Sequence, residues 1–394
     1  MITNERVRRP ISDAELERRW AATRELLAKN DLDLLFTQGS NMHLGGYVRW
    51  FTDIPAEYNY NMTVIFPADD QMTMIRSSAS PVPAWALRGV KEVVYAPFCP
   101  SLNYTASLET QPVVSYINKR AAKRVGYIGR AFIHTGMMET LRQALPDVEF
   151  VEVTDEFDLI KALKSDKEME LMREAARIHD LAWSALPAIV KPGMLEYQIR
   201  AEVMRLLIDL GSEEHLLFMG TAQPGKPCGM ATFQYANRRT QEGDYGTLLI
   251  EVSGPGGYYC ESARNFCFGE PYKAMADAWE VAAQAQQLTA DLLTDGRDSL
   301  EIVKAYNKFV SDRGYCQEGR LYGHSQGYDL IERPAFMRED ERDNETMKIK
   351  AGMCCSVHPY LTDSEQTVYI NDNYYITTGG AEKIHKTPPE IILL

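Results

Sequence analysis

The stretch LLIEVSGPGGYYCESARNFCFG, Leu248–Gly269, reads as two apolar strands joined by a turn built from Gly254, Pro255, Gly256 and Gly257. Side chains alternate faces along a strand, so Tyr259, Glu261, Ala263 and Asn265 share one face of the return strand. Glu251 sits in the apolar outgoing strand, where a carboxylate is costly to bury unless it is paired or ligated. If both strands turn these glutamates to one side, two carboxylates converge across the hairpin. Such a pair binds a metal, clamps a cation, or divides acid and base roles through split pKa values. The plainer reading pairs Glu251 with Arg264 and leaves Glu261 solvated.

Three downstream segments carry further polar groups. YGHSQGYDLIERP, Tyr322–Pro334, holds His324 between a glycine and a serine, with Asp329 and Glu332 nearby. KAGMCCSVHPYL, Lys350–Leu361, is a strand-like run that ends at His358-Pro359, since proline cannot continue a ladder. VYINDNYYIT, Val368–Thr377, places Asn371 and Asp372 in a β-prone run. Each is a weak signal alone, and only histidine has an unperturbed pKa close to neutrality.

The rest of the chain frames these segments. Its 394 residues suggest two domains. With 45% hydrophobic and 25% charged residues it has the composition of an ordinary globular protein. The net charge of −13 repels phosphate backbones and anionic lipid, so neither nucleic acid nor a membrane surface is an expected partner. Residues 1–160 carry a net −3 and the remainder −10, which puts most of the acidity in the second part. No apolar run reaches the ~18–20 residues of a membrane span. The N-terminus lacks the apolar core of a secretory signal. Seven cysteines without a CxxC spacing fit a reducing, cytoplasmic setting.

Ser12-Asp-Ala-Glu15 has the capping-box pattern ahead of a helix that Asn30 stops. Strands are expected at Asp33–Thr37, Met62–Phe66, Val93–Ala96 and Arg124–Ile128, which makes the first part an α/β domain. A second capping box, Ser165-Asp-Lys-Glu168, opens the next helix, and Glu196–Leu210 forms another. The domain boundary falls near Phe157–Lys164, dividing the chain into residues 1–160 and 161–394. In the second domain, helices, including a long helical block over Tyr272–Arg313, lie beside a mostly antiparallel sheet, an α+β arrangement.

The order of these features, with the helix KSDKEMELMREAARI, the GY…R.F hairpin and the GH…G…E.P loop, resembles the pita-bread metallopeptidase and creatinase family. That family includes aminopeptidase P, prolidase, creatinase and ectoine hydrolase. The resemblance spans the whole chain. It implies an α+β pita-bread catalytic domain preceded by an α/β creatinase-type N-terminal domain. The family's peptidases hold two metal ions with two Asp, one His and two Glu. The matching positions here are Glu251, Glu261, His324, His358 and Asn371, followed by Asp372. The family's further histidines fall at Ile331 and Thr232. An imidazole and an amide in place of two carboxylates remove two negative charges, which disfavours a dinuclear centre.

The resemblance therefore implies first a creatinase-like, metal-independent hydrolase. Its bond would be a non-peptide C–N bond in a small cationic or zwitterionic substrate. Glu251 and Glu261 would bind the positive group, and His324 and His358 would act as base and acid. Tyr259, Asn371, Asp372 and Glu332 are expected to line the substrate site. So are Arg49, Tyr58 and Tyr60, from an N-terminal domain that covers the partner's site in a homodimer. The alternatives are an Xaa-Pro-type metallopeptidase, with one Mn or Zn on Glu251, Glu261, His324 and His358, and a lyase on the same fold. A non-enzymatic binding role is the least favoured.

Overall fold

The computed structural model describes residues 9–57, 60–77, 82–99, 101–231, 237–341 and 347–394. The chain divides into two compact units, Met1–Lys161 and Ala162–Leu394.

In the first unit, helix α1 (Asp13–Lys29) begins where the Ser12 hydroxyl accepts the Glu15 backbone N–H at 3.2 Å. Only half of the anticipated box forms, because the Glu15 carboxylate pairs with Arg18 and the fully buried Arg19. A short helix, α2, covers Tyr47–Thr52. The six strands are β1 (Leu34–Gly39), β2 (Met62–Pro67), β3 (Met72–Arg76), β4 (Val90–Tyr95), β5 (Arg124–Tyr127) and β6 (Glu149–Glu152). They form one mixed sheet in the order β4-β3-β2-β1-β5-β6. β3 and β6 were not legible in advance. β6 reads EFVE, a four-residue strand on a sheet edge, too short and polar to show alternation. Trp50 packs edge-on against Phe157, with centroids 4.8 Å apart, and belongs to the core.

The second unit opens with helix α3 (Asp166–Ile189), whose capping box is complete: Ser165 and Glu168 exchange hydrogen bonds of 2.8 and 3.2 Å. Helix α4 spans Glu196–Asp209. β7 (Glu214–Ala222), β8 (Tyr245–Ser253) and β9 (Tyr259–Cys267) pair antiparallel, and Ile392–Leu393 adds a short parallel strand beside β9. Gly256 and Gly257, at φ of 97° and 84°, supply the left-handed turn of the β8–β9 hairpin. Gly254 lies so close to α3 that a Cβ there would stand 2.9 Å from the Ala175 Cα. The expected helical block is two helices, α5 (Lys273–Leu292) and α6 (Ser299–Ser311); Asp298 caps the second through the Leu300 N–H.

A second sheet contains β10 (Gly323–Ser325), β11 (Glu332–Phe336), β12 (Cys354–Val357), β13 (Asp372–Thr377) and β14 (Gly380–Lys383), in the order β11-β10-β12-β13-β14. The two larger sheets of this unit meet where Ala263 of β9 bridges Asn371, just before β13. The architecture is the α+β pita-bread arrangement. No helix among the described residues is long and apolar enough to cross a membrane. The seven cysteines are free thiols.

Candidate active site

The hairpin register sets Glu251 directly opposite Glu261. On the second sheet, His324 of β10 pairs with Ser356 of β12, and His358 follows two residues later on the same face. Asn371 is drawn in by its bridge to Ala263. Glu261, His324, His358 and Asn371 are all buried, while Glu251 keeps part of its surface open.

Glu261 is the hub. His324 Nε2 lies 3.5 Å and His358 Nε2 lies 3.7 Å from its Oε1. The Ser356 hydroxyl donates to the same oxygen and stands 2.7 Å from Asn371 Oδ1. The Glu261 backbone N–H donates to Asn373 Oδ1 at 2.9 Å.

The electrostatics split the two carboxyls. Burial pushes Glu251 well above its ordinary value, and the charge and hydrogen bond of Glu261 push it the same way. Burial also pushes Glu261 up. The fields of His324 and His358 and hydrogen bonds from Asn371 and Ser356 outweigh that, and its carboxyl falls to about 2. Burial brings the His358 imidazole down to about 3, against the opposing pull of Glu261. His358 is therefore neutral at neutral pH, and there the Glu261 anion rests on its hydrogen bonds more than on His358. The shifts favour keeping a proton on Glu251 and the negative charge on Glu261.

His324 Nδ1 is 3.0 Å from the Ser325 carbonyl, which can only accept, so Nδ1 carries a proton. In the neutral ring, Nε2 then turns a lone pair toward an anionic carboxylate oxygen. Among the described residues His358 Nδ1 has no hydrogen-bond partner. The His324 lone pair and the Glu261 oxygen, 3.5 Å apart, call for a cation or a proton between them, and His358 Nε2 stands beside the same oxygen at 3.7 Å.

A divalent ion fits the donor set. One donor atom each from Glu261, His324 and His358 lie within 4.8 Å of one another. Bonds of about 2.0–2.2 Å to a tetrahedral ion put its donors roughly 3.4 Å apart. The His324 contact to the Ser325 carbonyl is the kind of outer hydrogen bond that fixes a ligand's tautomer. The donor set disfavours two ions, because Asn371 and His358 stand where the family's peptidases have carboxylates and bring no negative charge.

Other expected residues are placed elsewhere. Alternation turns Asn371 and Asn373 to the site and Asp372 away from it. Asp372 forms a buried, two-pronged pair with Arg264, at 2.8 and 3.0 Å. This removes Arg264 as a partner for Glu251 and corrects the expectation that Asp372 touches substrate. Glu332 pairs with buried Lys164 at 2.7 Å. The Tyr259 hydroxyl donates to Glu214 at 2.5 Å. Both are thereby committed to structural bonds. Arg49 is buried in the first unit and offers no guanidinium at its surface, whereas Tyr60 is exposed. Tyr58 and Thr232 lie outside the described residues. Sequence reasoning missed Ser356, although counting back by two from His358 along its strand would have found it.

The chain is similar to several known proteins. The family model for metallopeptidase family M24 matches residues 170–378. An Xaa-Pro dipeptidase of Pyrococcus horikoshii is 24% identical over 263 residues, 65% of this chain and 72% of that protein. An uncharacterized hydrolase/peptidase, y4tM, of Sinorhizobium fredii is 22% identical over 97% of this chain and 98% of its own length. An X-Pro aminopeptidase structure from Thermotoga maritima superposes with a TM-score of 0.78 at 16% identity, covering 95% of this chain and 99% of that one.

Proposed function

The chain belongs to metallopeptidase family M24, a family of hydrolases, and from that premise we propose that it cleaves a C–N bond in a small peptide or peptide-like substrate at a mononuclear divalent centre. Glu261, His324 and His358 would hold the ion, Mn or Zn. The observation that carries this reading is the set of acceptor atoms converging on one point with separations that suit a single ion. When bound, such an ion supplies Lewis acidity toward a carbonyl.

The other roles belong to the chain itself. Burial and the Glu261 charge favour the protonated form of Glu251, which lies at the more open edge of the cluster and is suited to protonate a leaving nitrogen. Ser356 and Asn371 hold the Glu261 carboxylate in place. Tyr60 is retained as a residue that a homodimer would bring to the partner's site.

Creatinase-like cleavage of a non-peptide bond, the first expectation, gains no support from the relatives, whose names are those of dipeptidases and peptidases. A metal-free variant of the chemistry keeps one observation in its favour, because a proton on His324 would also relieve the facing acceptors. Assays on Xaa-Pro dipeptides separate the two. The proposal expects cleavage that stops with a chelator and returns with manganese or zinc. Cleavage indifferent to chelation would overturn it.

A further inference from the structure

A second group of buried polar side chains, which the chemistry above does not use, reaches the site through Asn373, the partner of Ser356 in the ladder. The C-terminal segment after β14 is strapped down at many points. Asp180 accepts the backbone N–H groups of Lys386 and Thr387 at 2.8–3.0 Å and the Thr387 hydroxyl at 2.7 Å. Arg264 donates to the carbonyls of Thr387 and Pro388, at 3.2 and 3.0 Å. Trp279 Nε1 donates to the Pro389 carbonyl at 3.0 Å. This strap carries His385 into the interior, where it is 3% exposed.

His385 Nε2 lies 3.1 Å from Asn373 Oδ1. The same oxygen accepts the Glu261 backbone N–H at 2.9 Å, and Asn373 Nδ2 donates to Gln326 Oε1 at 2.6 Å. A backbone N–H can only donate, so the Asn373 amide has one orientation and His385 Nε2 must be its second donor. His385 Nδ1 has no hydrogen-bond partner among the described residues. That leaves a buried lone pair unsatisfied, which is unfavourable. Burial pushes the ring down to about 4, so it is neutral at physiological pH. The ring of His179 stands edge-on to it at 5.5 Å, and His179 Nε2 is 3.2 Å from the Ile250 carbonyl, next to Glu251.

We infer that His385 is a positioning residue: through Asn373 it fixes both the Glu261 strand and the loop of Gln326, two residues beyond His324. Asn373 hydrogen-bonds both ligand-bearing segments, and His385 supplies the second donor that holds its amide in register. A leucine in this place would satisfy the core without leaving a lone pair orphaned. The polar ring is explained by the link to the site. The C-terminal strap is thereby part of the site's framework, although it contributes no ligand.

Two readouts on the full-length chain test this. His385→Phe keeps the ring volume and removes the donor; His385→Gln restores an N–H. Zinc titration by calorimetry should show about tenfold weaker binding for His385→Phe, at the low end of the roughly 10–100-fold typical of outer partners of ligands. Recovery is expected in His385→Gln. In protein labelled with 15N-glutamate and kept metal-free, the Glu261 amide resonance, assigned by its loss in Glu261→Gln, should shift in His385→Phe and return in His385→Gln. If His385→Phe does not fold, Asn373→Ser breaks the same link. The zinc arm rests on the functional proposal, and a wild type that binds no zinc defeats that proposal alone. A Glu261 resonance unmoved in the folded variant overturns the inference.

Discussion

Replacing Glu251 by glutamine tests the shared proton without changing the shape of the site. In the folded chain the carboxyl is raised well above its ordinary 4.5, by burial first and then by Glu261. In the unfolded chain it ionises normally. The folded state therefore binds one more proton than the unfolded state between these two values. The sign follows directly: stability is full below about 4.5 and is lost as pH rises toward the folded value. The slope is about 1.4 kcal/mol per pH unit, the free energy of one unit of pKa difference. Glutamine is neutral throughout and escapes it. For a unit of about 200 residues, 1 kcal/mol moves Tm by roughly 2–4 °C. The assay is thermal unfolding of chelator-treated wild type and Glu251→Gln across pH 5–9. The gap in Tm between them should widen with pH in favour of the variant, by roughly 3–5 °C per unit. Parallel curves would refute the reasoning, since they would show that Glu251 ionises in the folded chain as it does in the unfolded one.

Other expectations concern neighbouring groups. Asp372→Ala leaves Arg264 buried without its carboxylate and should cost about 3–5 kcal/mol in urea unfolding; a change in KM with unchanged stability would return Asp372 to the substrate site. Ser165→Ala breaks the capping box of α3 and should cost about 1 kcal/mol by the same measurement, with catalysis unaffected. In a pH–rate profile, activity should fall on the alkaline side as Glu251 loses its proton, and that limb should be absent from Glu251→Gln. His358, already neutral above about 3, should contribute no limb between pH 5 and 9; a His358-dependent step in that range would contradict the assignment.

The parts of the fold that were legible in the sequence are those with strong local chemistry. The Gly-rich turn and the alternation around Glu251 and Glu261 defined the hairpin, and Ser165 and Glu168 marked the entry to α3. β7 was not legible, although it is nine residues long, because EHLLFMGTA does not alternate and six of its nine residues are buried. At the site, Glu261, His324 and His358 were readable, but their convergence depends on two sheets meeting at Ala263 and Asn371, a contact 108 residues apart in sequence that no local pattern encodes. The choice between Asn371 and Asp372 was decided by Arg264, which claims the second. Local reading placed Glu332 and Tyr259 at the substrate because it could not see Lys164 or Glu214, their partners from other elements.

The central claim is a centre for one ion. Its most direct measurement is elemental analysis of purified chain, loaded with zinc or manganese and then freed of loosely held ions. The account predicts one ion per chain, lost in Glu261→Ala and in His324→Ala. Two ions per chain, or none, would contradict it.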